Sequence, residues 1–147
     1  MARKEKTIII SDRDGDLHFL IKEMSAVQLE SWIIRGVLVL ANAGLDTPDK
    51  SDLREAGEYL AQNWKKLLSS VDYEKAKPLL DEMLGCCYRV IDNARERCTP
   101  ESVEGYIMDV ATLIKLRMEA LTFNLGFIRP EGESNSGSPE KPAIEMQ

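Results

Sequence analysis

The chain has one histidine, and that scarcity removes most catalytic relays at once. Any Ser/His/Asp or Cys/His arrangement would hang on His18, which lies in an alternating, strand-like run where solvent exposure is expected. There is no glycine-rich phosphate loop and no G-x-S-x-G elbow. No catalytic residue, no cofactor and no enzymatic activity are therefore expected. Cysteine is scarce too. The three present are Cys86, Cys87 and Cys98, an odd number whose spacing fits no zinc motif. Buried thiols in a reducing compartment are the expected state. No apolar run approaches the ~20 residues of a membrane span. The opening residues lack the apolar core of a secretory signal. A basic excess is missing as well: 19 Lys and Arg against 25 Asp and Glu leave a net charge of −6. That balance argues against a general nucleic-acid-binding surface. Arg3, Lys4 and Lys6 of the opening "MARKEK" read as a solvated terminus.

What is present begins with "SDRDGDLHFLIKE". Asp12, Asp14, Asp16 and Glu23 fall at positions 1, 3, 5 and 12 of a calcium-loop spacing. Such a loop needs glycine at position 6, where this chain has Leu17, and a helix in front, where it has the β-branched run Thr7–Ile10. Leu17, Phe19 and Ile21 then alternate with His18, Leu20 and Lys22. Two strand-like runs around Asp14-Gly15 predict a β-hairpin over residues 7–24, and no metal site.

At 147 residues the chain suits one domain with a real core. Ser25 and Gln28 form a capping pattern, and Gly44 closes the segment that follows. Between them only Gln28, Ser31, Arg35 and Asn42 make a polar stripe. Trp32, Ile33, Ile34, Val37, Leu38 and Leu40 are among the apolar rest, so this helix must be covered on several sides. Glu30 among them calls for a polar neighbour. After a linker at "LDTPDKSD", capped by Ser51 or Asp49, a second helix is expected from Leu53 to Leu68. Its stripe is Leu53, Gly57, Leu60, Trp64, Leu67 and Val71.

Pro78 suggests a short turn at Tyr73–Ala76 and a new helix from Pro78 to about Ile91. Its buried face would be Leu80, Met83, Leu84, Cys87, Val90 and Ile91. "DNARERC" reads as loop. Thr99 and Pro100 then start a long helix reaching Ile128, with Val103, Ile107, Val110, Ile114, Met118, Leu121 and Leu125 as its core stripe. From Arg129 the composition turns to Pro, Gly, Ser and Glu, and residues 129–147 are expected to be a disordered tail. The expected fold is mainly α: a small bundle of about four helices with an N-terminal β-hairpin, forming one domain over residues 1–128.

The stretch holding Phe19, Ile21, Glu23, Met24, Ala26, Glu30 and Trp32 matches F-x-I-x-E-M-x-A-x-x-x-E-x-W. With "PLLDEML" at Pro78–Leu84 and "LGF" at Leu125–Phe127, it resembles the tail assembly chaperones of long-tailed bacteriophages. Where that family commonly has proline between Met and Ala, this chain has Ser25. The resemblance implies a non-enzymatic protein of the infected cell's cytoplasm, absent from the mature virion. Such a protein keeps the tape measure protein soluble during tail assembly. It also implies that this is the shorter product of a frameshifted pair, whose longer form recruits the tail tube protein. A homo-oligomer is compatible with it. The Ser25–Gly44 helix is the expected tape-measure face, with Ile33, Val37 and Leu40 as contacts, although the same residues could equally be the domain's own core. The second reading of the chain is a helical adaptor or regulator that binds another protein.

Overall fold

The computed structural model describes residues 3–49 and 52–126. Strands β1 (Glu5–Asp12) and β2 (Gly15–Lys22) form the expected hairpin, paired from Glu5↔Lys22 to Asp12↔Gly15. The bend falls on Arg13 and Asp14, one residue earlier than the Asp-Gly signal suggests. Gly15 sits at φ +135°, a backbone state that side chains rarely adopt.

Helix α1 (Ala26–Asn42) starts where Ser25 Oγ accepts the Gln28 N–H at 3.1 Å, and Gly44 follows its end at φ +94°. Helix α2 (Leu53–Asn63) is capped by Asp52, whose Oδ1 accepts the Glu55 N–H at 3.1 Å. Asp49 instead bonds the Asp52 N–H through its carbonyl, and the Ser51 cap lies outside the described residues. The expected second helix therefore divides into α2 and the short α3 (Lys66–Ser69). Its stripe still holds, with Gly57, Leu60 and Leu67 buried.

Three expectations about the middle of the chain fail. Helix α4 (Tyr73–Leu84) runs straight through Pro78 instead of restarting there. It also stops at Gly85 instead of continuing to Ile91. Cys87–Ile91 is strand β3, and Ala94–Arg97 of the expected loop is strand β4. Asp92, at φ 52°, makes the turn between them. The physical reason is tertiary. β2 offers a free edge, and β3 takes it through Phe19↔Arg89, Leu20↔Tyr88 and Ile21↔Cys87. The run Cys-Tyr-Arg-Val-Ile suits a pleated surface better than a helix. The result is a four-stranded antiparallel sheet in the order β1-β2-β3-β4. With six helices and four strands among the described residues, the fold is mixed α and β, and the mainly-α bundle is incorrect.

The last helix is also interrupted. The capping box at Thr99 is present, with Ser102 N–H to Thr99 Oγ1 at 3.0 Å and Thr99 N–H to Ser102 Oγ at 2.9 Å. The helix it opens, α5 (Pro100–Val103), ends after one turn. Helix α6 (Val110–Leu125) restarts downstream. Asp12, at the end of β1, accepts the Met108 and Asp109 N–H groups at 2.8 and 3.2 Å and the Thr112 hydroxyl at 2.7 Å. Those bonds tie the first turn of α6 to the hairpin and fix the break. The expected tail at 129–147 lies outside the described residues.

The core forms between the inner face of the sheet and the helices. Trp32, Phe19, Ile21, Leu40, Leu60, Leu79, Met83, Leu84 and Leu116 are fully buried. α1 packs on α2 and α4, and α6 packs on α4, α2, β1 and β2. Asn124 is buried as well. Its Oδ1 accepts the Met24 N–H at 2.7 Å and its Nδ2 donates to the Ala120 carbonyl at 2.9 Å. This amide joins the end of the hairpin to the last helix.

Candidate partner-binding surface

The carboxylates of the calcium-like spacing point to separate structural tasks. Asp12 holds the residues that lead into α6, Asp16 accepts the Ser11 hydroxyl at 2.9 Å, and Glu23 accepts the Lys4 N–H at 2.8 Å. Thr112, and then the backbone donors led by Met108, hold the Asp12 carboxyl below its ordinary value. The spacing therefore belongs to a hairpin and its tie to the start of α6. No group of metal-ligating side chains assembles among the described residues.

The three cysteines are free and buried. Burial pushes the Cys86 thiol up to about 11, with the Asn124 amide acting in the opposite direction. It raises Cys87 and Cys98 in the same direction. Cys98 Sγ lies 3.3 Å from Tyr106 Oη. Thiols held neutral this way are poor nucleophiles and pack as small apolar groups. His18 is exposed on the outer face of the sheet, opposite Ile9. Arg89 stacks its guanidinium 4.1 Å over the Tyr106 ring, and that ring leans on Phe19 with centroids 6.4 Å apart. These contacts seal the inner face of the sheet.

Ile33, Val37 and Leu40, the expected tape-measure contacts, are 2%, 2% and 0% exposed. They are core residues of this chain, and a partner could reach them only by opening the domain. Gly36 lies beside them because a Cβ there would sit 3.1 Å from both methyls of Leu60. α1 thus approaches α2 closely on the face expected for a partner. Glu30 is exposed and needs no buried partner. Arg35 instead reaches α4, binding both carboxylate oxygens of Glu82, one of them at 2.7 Å. Trp32 donates its indole N–H to the Leu79 carbonyl at 3.0 Å. Phe19, Ile21, Met24 and Trp32, the large apolar residues of the phage-like motif, are buried, and Ala26 of the same motif is exposed. The motif therefore describes how the hairpin, α1 and α4 pack together.

The uncovered apolar surface lies elsewhere. On α6, Val110 is 72% exposed, Ile114 44% and Met118 37%, at four-residue intervals along one side. Met108 precedes them, and Ala111 and Thr122 extend the same side. On α1, Val27 and Leu38 are exposed. Sequence periodicity assigns Val110, Ile114 and Met118 to the core, because apolar residues recur on several sides of α6. Its inward side carries Thr112 and Asn124, whose polarity hides which way the helix faces. The one available signal is a surplus of apolar circumference, which α6 shares with α1.

No family model, no curated protein and no solved structure matches this chain. No helix among the described residues is long and apolar enough to cross a membrane.

Proposed function

We propose that this protein is a non-enzymatic tail assembly chaperone of a long-tailed bacteriophage, which binds the tape measure protein and keeps it soluble in the infected cell's cytoplasm. Two things support the reading. The first is the likeness carried by Phe19, Ile21, Glu23, Met24, Ala26, Glu30 and Trp32. The second, and the observation that carries it, is the exposed Val110–Ile114–Met118 stripe of α6. A tape measure chain exposes long apolar helical surface before the tail tube closes around it. A helix side with residues at i, i+4 and i+8 is suited to cover such a surface. The contacts move from α1 to α6, since Ile33, Val37 and Leu40 serve the core. The negative charge of the chain helps the complex stay dispersed. In this reading the chain is absent from the finished virion, and a frameshifted longer product recruits the tail tube protein.

Co-expression tests it. Tape measure protein of the same phage should be insoluble alone and soluble with this chain. The triple variant Val110→Glu, Ile114→Glu, Met118→Glu should lose that effect while keeping the wild-type circular dichroism spectrum. A tape measure protein left insoluble by the wild-type chain, or rescued equally by the triple variant, overturns the proposal.

A further inference from the structure

β1 lies at one edge of the sheet, and no further strand pairs with it among the described residues. The Glu23 N–H bonds the Lys4 carbonyl at 3.0 Å, which makes that pair a hydrogen-bonded one. Alternation along an antiparallel ladder then turns the backbone groups of Lys6, Ile8, Ile10 and Asp12 toward β2 as well. Those of Glu5, Thr7, Ile9 and Ser11 point out from the free edge. The Lys22 N–H bonds the Cys86 carbonyl on the far side of β2, as the same alternation requires. All four outward-bonding residues have exposed side chains, Ile9 at 59%. The Ser11 carbonyl lies 3.5 Å from Thr112 Oγ1 and keeps a second lone pair.

The charge pattern of this edge is its own complement. Lys4, Glu5 and Lys6 stand before Thr7 and three isoleucines; Ser11, Asp12, Arg13 and Asp14 stand after them. Reading the strand backwards about Ile9 inverts every charge and exchanges Thr7 for Ser11. We propose that β1 pairs antiparallel with β1 of a second copy, across a two-fold axis at Ile9. In that register Ile9 faces Ile9, Thr7 faces Ser11 and Lys6 faces Asp12 along the ladder, while Glu5 and Lys4 run alongside the turn residues Arg13 and Asp14 of the other copy. Ladder parity allows the axis to move only in whole residues. With the axis at Ile8, Lys4 faces Asp12 but Glu5 faces Ser11 and Lys6 faces Ile10. With the axis at Ile10, Lys6 faces Asp14 but Ile8 faces Asp12. Only the axis at Ile9 sets Lys6 against Asp12 along the ladder and also brings Glu5 and Lys4 beside the oppositely charged turn residues Arg13 and Asp14.

The charges select the register, and the ladder hydrogen bonds with the isoleucine pairs supply the affinity. Within one copy Lys6 already meets Glu119 at 3.3 Å and Arg13 meets Asp109, exposed ion pairs that both cations share with the second copy on pairing. The product is a continuous eight-stranded sheet, since each copy contributes four strands. α6 packs on β1 and β2 of its own copy, so both α6 helices lie on one face of the joined sheet, ~10 Å apart. This interface stands apart from the tail assembly reading, and either can fail alone.

Sedimentation of the full chain over a concentration range should show a reversible dimer. Glu5→Lys, which sets like charges against Arg13 twice across the axis, should weaken it by about tenfold. Adding Arg13→Glu to the same chain should restore it. Ile9→Cys should cross-link as a dimer with diamide as the oxidant, whereas Thr7→Cys should not, because it faces Ser11. The wild-type chain, whose cysteines are buried, controls for background. A chain that stays monomeric, a dimer that Ile9→Cys fails to cross-link, cross-linking through Thr7→Cys, or a charge reversal that Arg13→Glu does not rescue each overturns the proposal.

Discussion

Replacing Asn124 by leucine tests how the hairpin is joined to the helices. The side chain is fully buried, and its Oδ1 accepts the Met24 N–H at 2.7 Å. Met24 is itself 5% exposed, so water cannot take over the lost bond. Leucine has a similar shape but no acceptor, and leaves the N–H without a partner in the interior. An orphaned buried donor costs about 1–3 kcal/mol, and about 2 kcal/mol is the expected loss here. The bond from Nδ2 to the Ala120 carbonyl disappears at less expense, since both of its ends lie in one helix. For a domain whose total stability is about 5–15 kcal/mol, a loss of that size is large. It should lower Tm by about 6–10 °C. Urea unfolding followed by the fluorescence of Trp32 and Trp64 should show a lower midpoint with an unchanged slope. Asn124→Ala should lose about 1 kcal/mol more, because it also leaves a cavity. A leucine variant within about 0.5 kcal/mol of wild type would refute the assignment of a structural role to this amide.

Other outcomes follow from the same geometry. Gly36→Ala gains about 0.5–1 kcal/mol of helix propensity, but its methyl would sit 3.1 Å from both end carbons of the fully buried Leu60. Overpacking costs about 1–3 kcal/mol, so net destabilisation is expected in calorimetry. Asp12 has a folded-state pKa below its ordinary value of 3.8, so its contribution is complete above that pH and fades as pH falls through the lowered value. Asp12→Asn should therefore lower Tm at neutral pH, and the gap to wild type should narrow below pH 3.8. Cys86, Cys87 and Cys98 should resist a thiol reagent such as Ellman's in the native protein at pH 8 and all react in denaturant, which an absorbance assay reads directly.

Local signals sufficed where local chemistry decides structure. Ser25 with Gln28 marks the start of α1, Thr99 with Pro100 the start of α5, and the alternation of Leu17, Phe19 and Ile21 the strand β2. Distant partners decided the rest. Cys87, Tyr88 and Arg89 become strand because Phe19, Leu20 and Ile21 present an edge to them, and helical spacing of Leu84 and Cys87 masks this. The break between α5 and α6 is held by Asp12, which is nearly a hundred residues away. The candidate surface was legible only as a surplus of apolar residues. Deciding that Val110, Ile114 and Met118 face out while Thr112 and Asn124 face in requires knowing what lies beneath α6.

The bond between Met24 and Asn124 spans a separation of 100 residues. During synthesis the hairpin and the first four helices emerge with this joint open, since its acceptor has not yet been translated. The closing piece is among the last of the domain to leave the ribosome. A nascent chain stalled before that point holds most of the core residues but not the latch, and should stand out as substrate for cellular proteases.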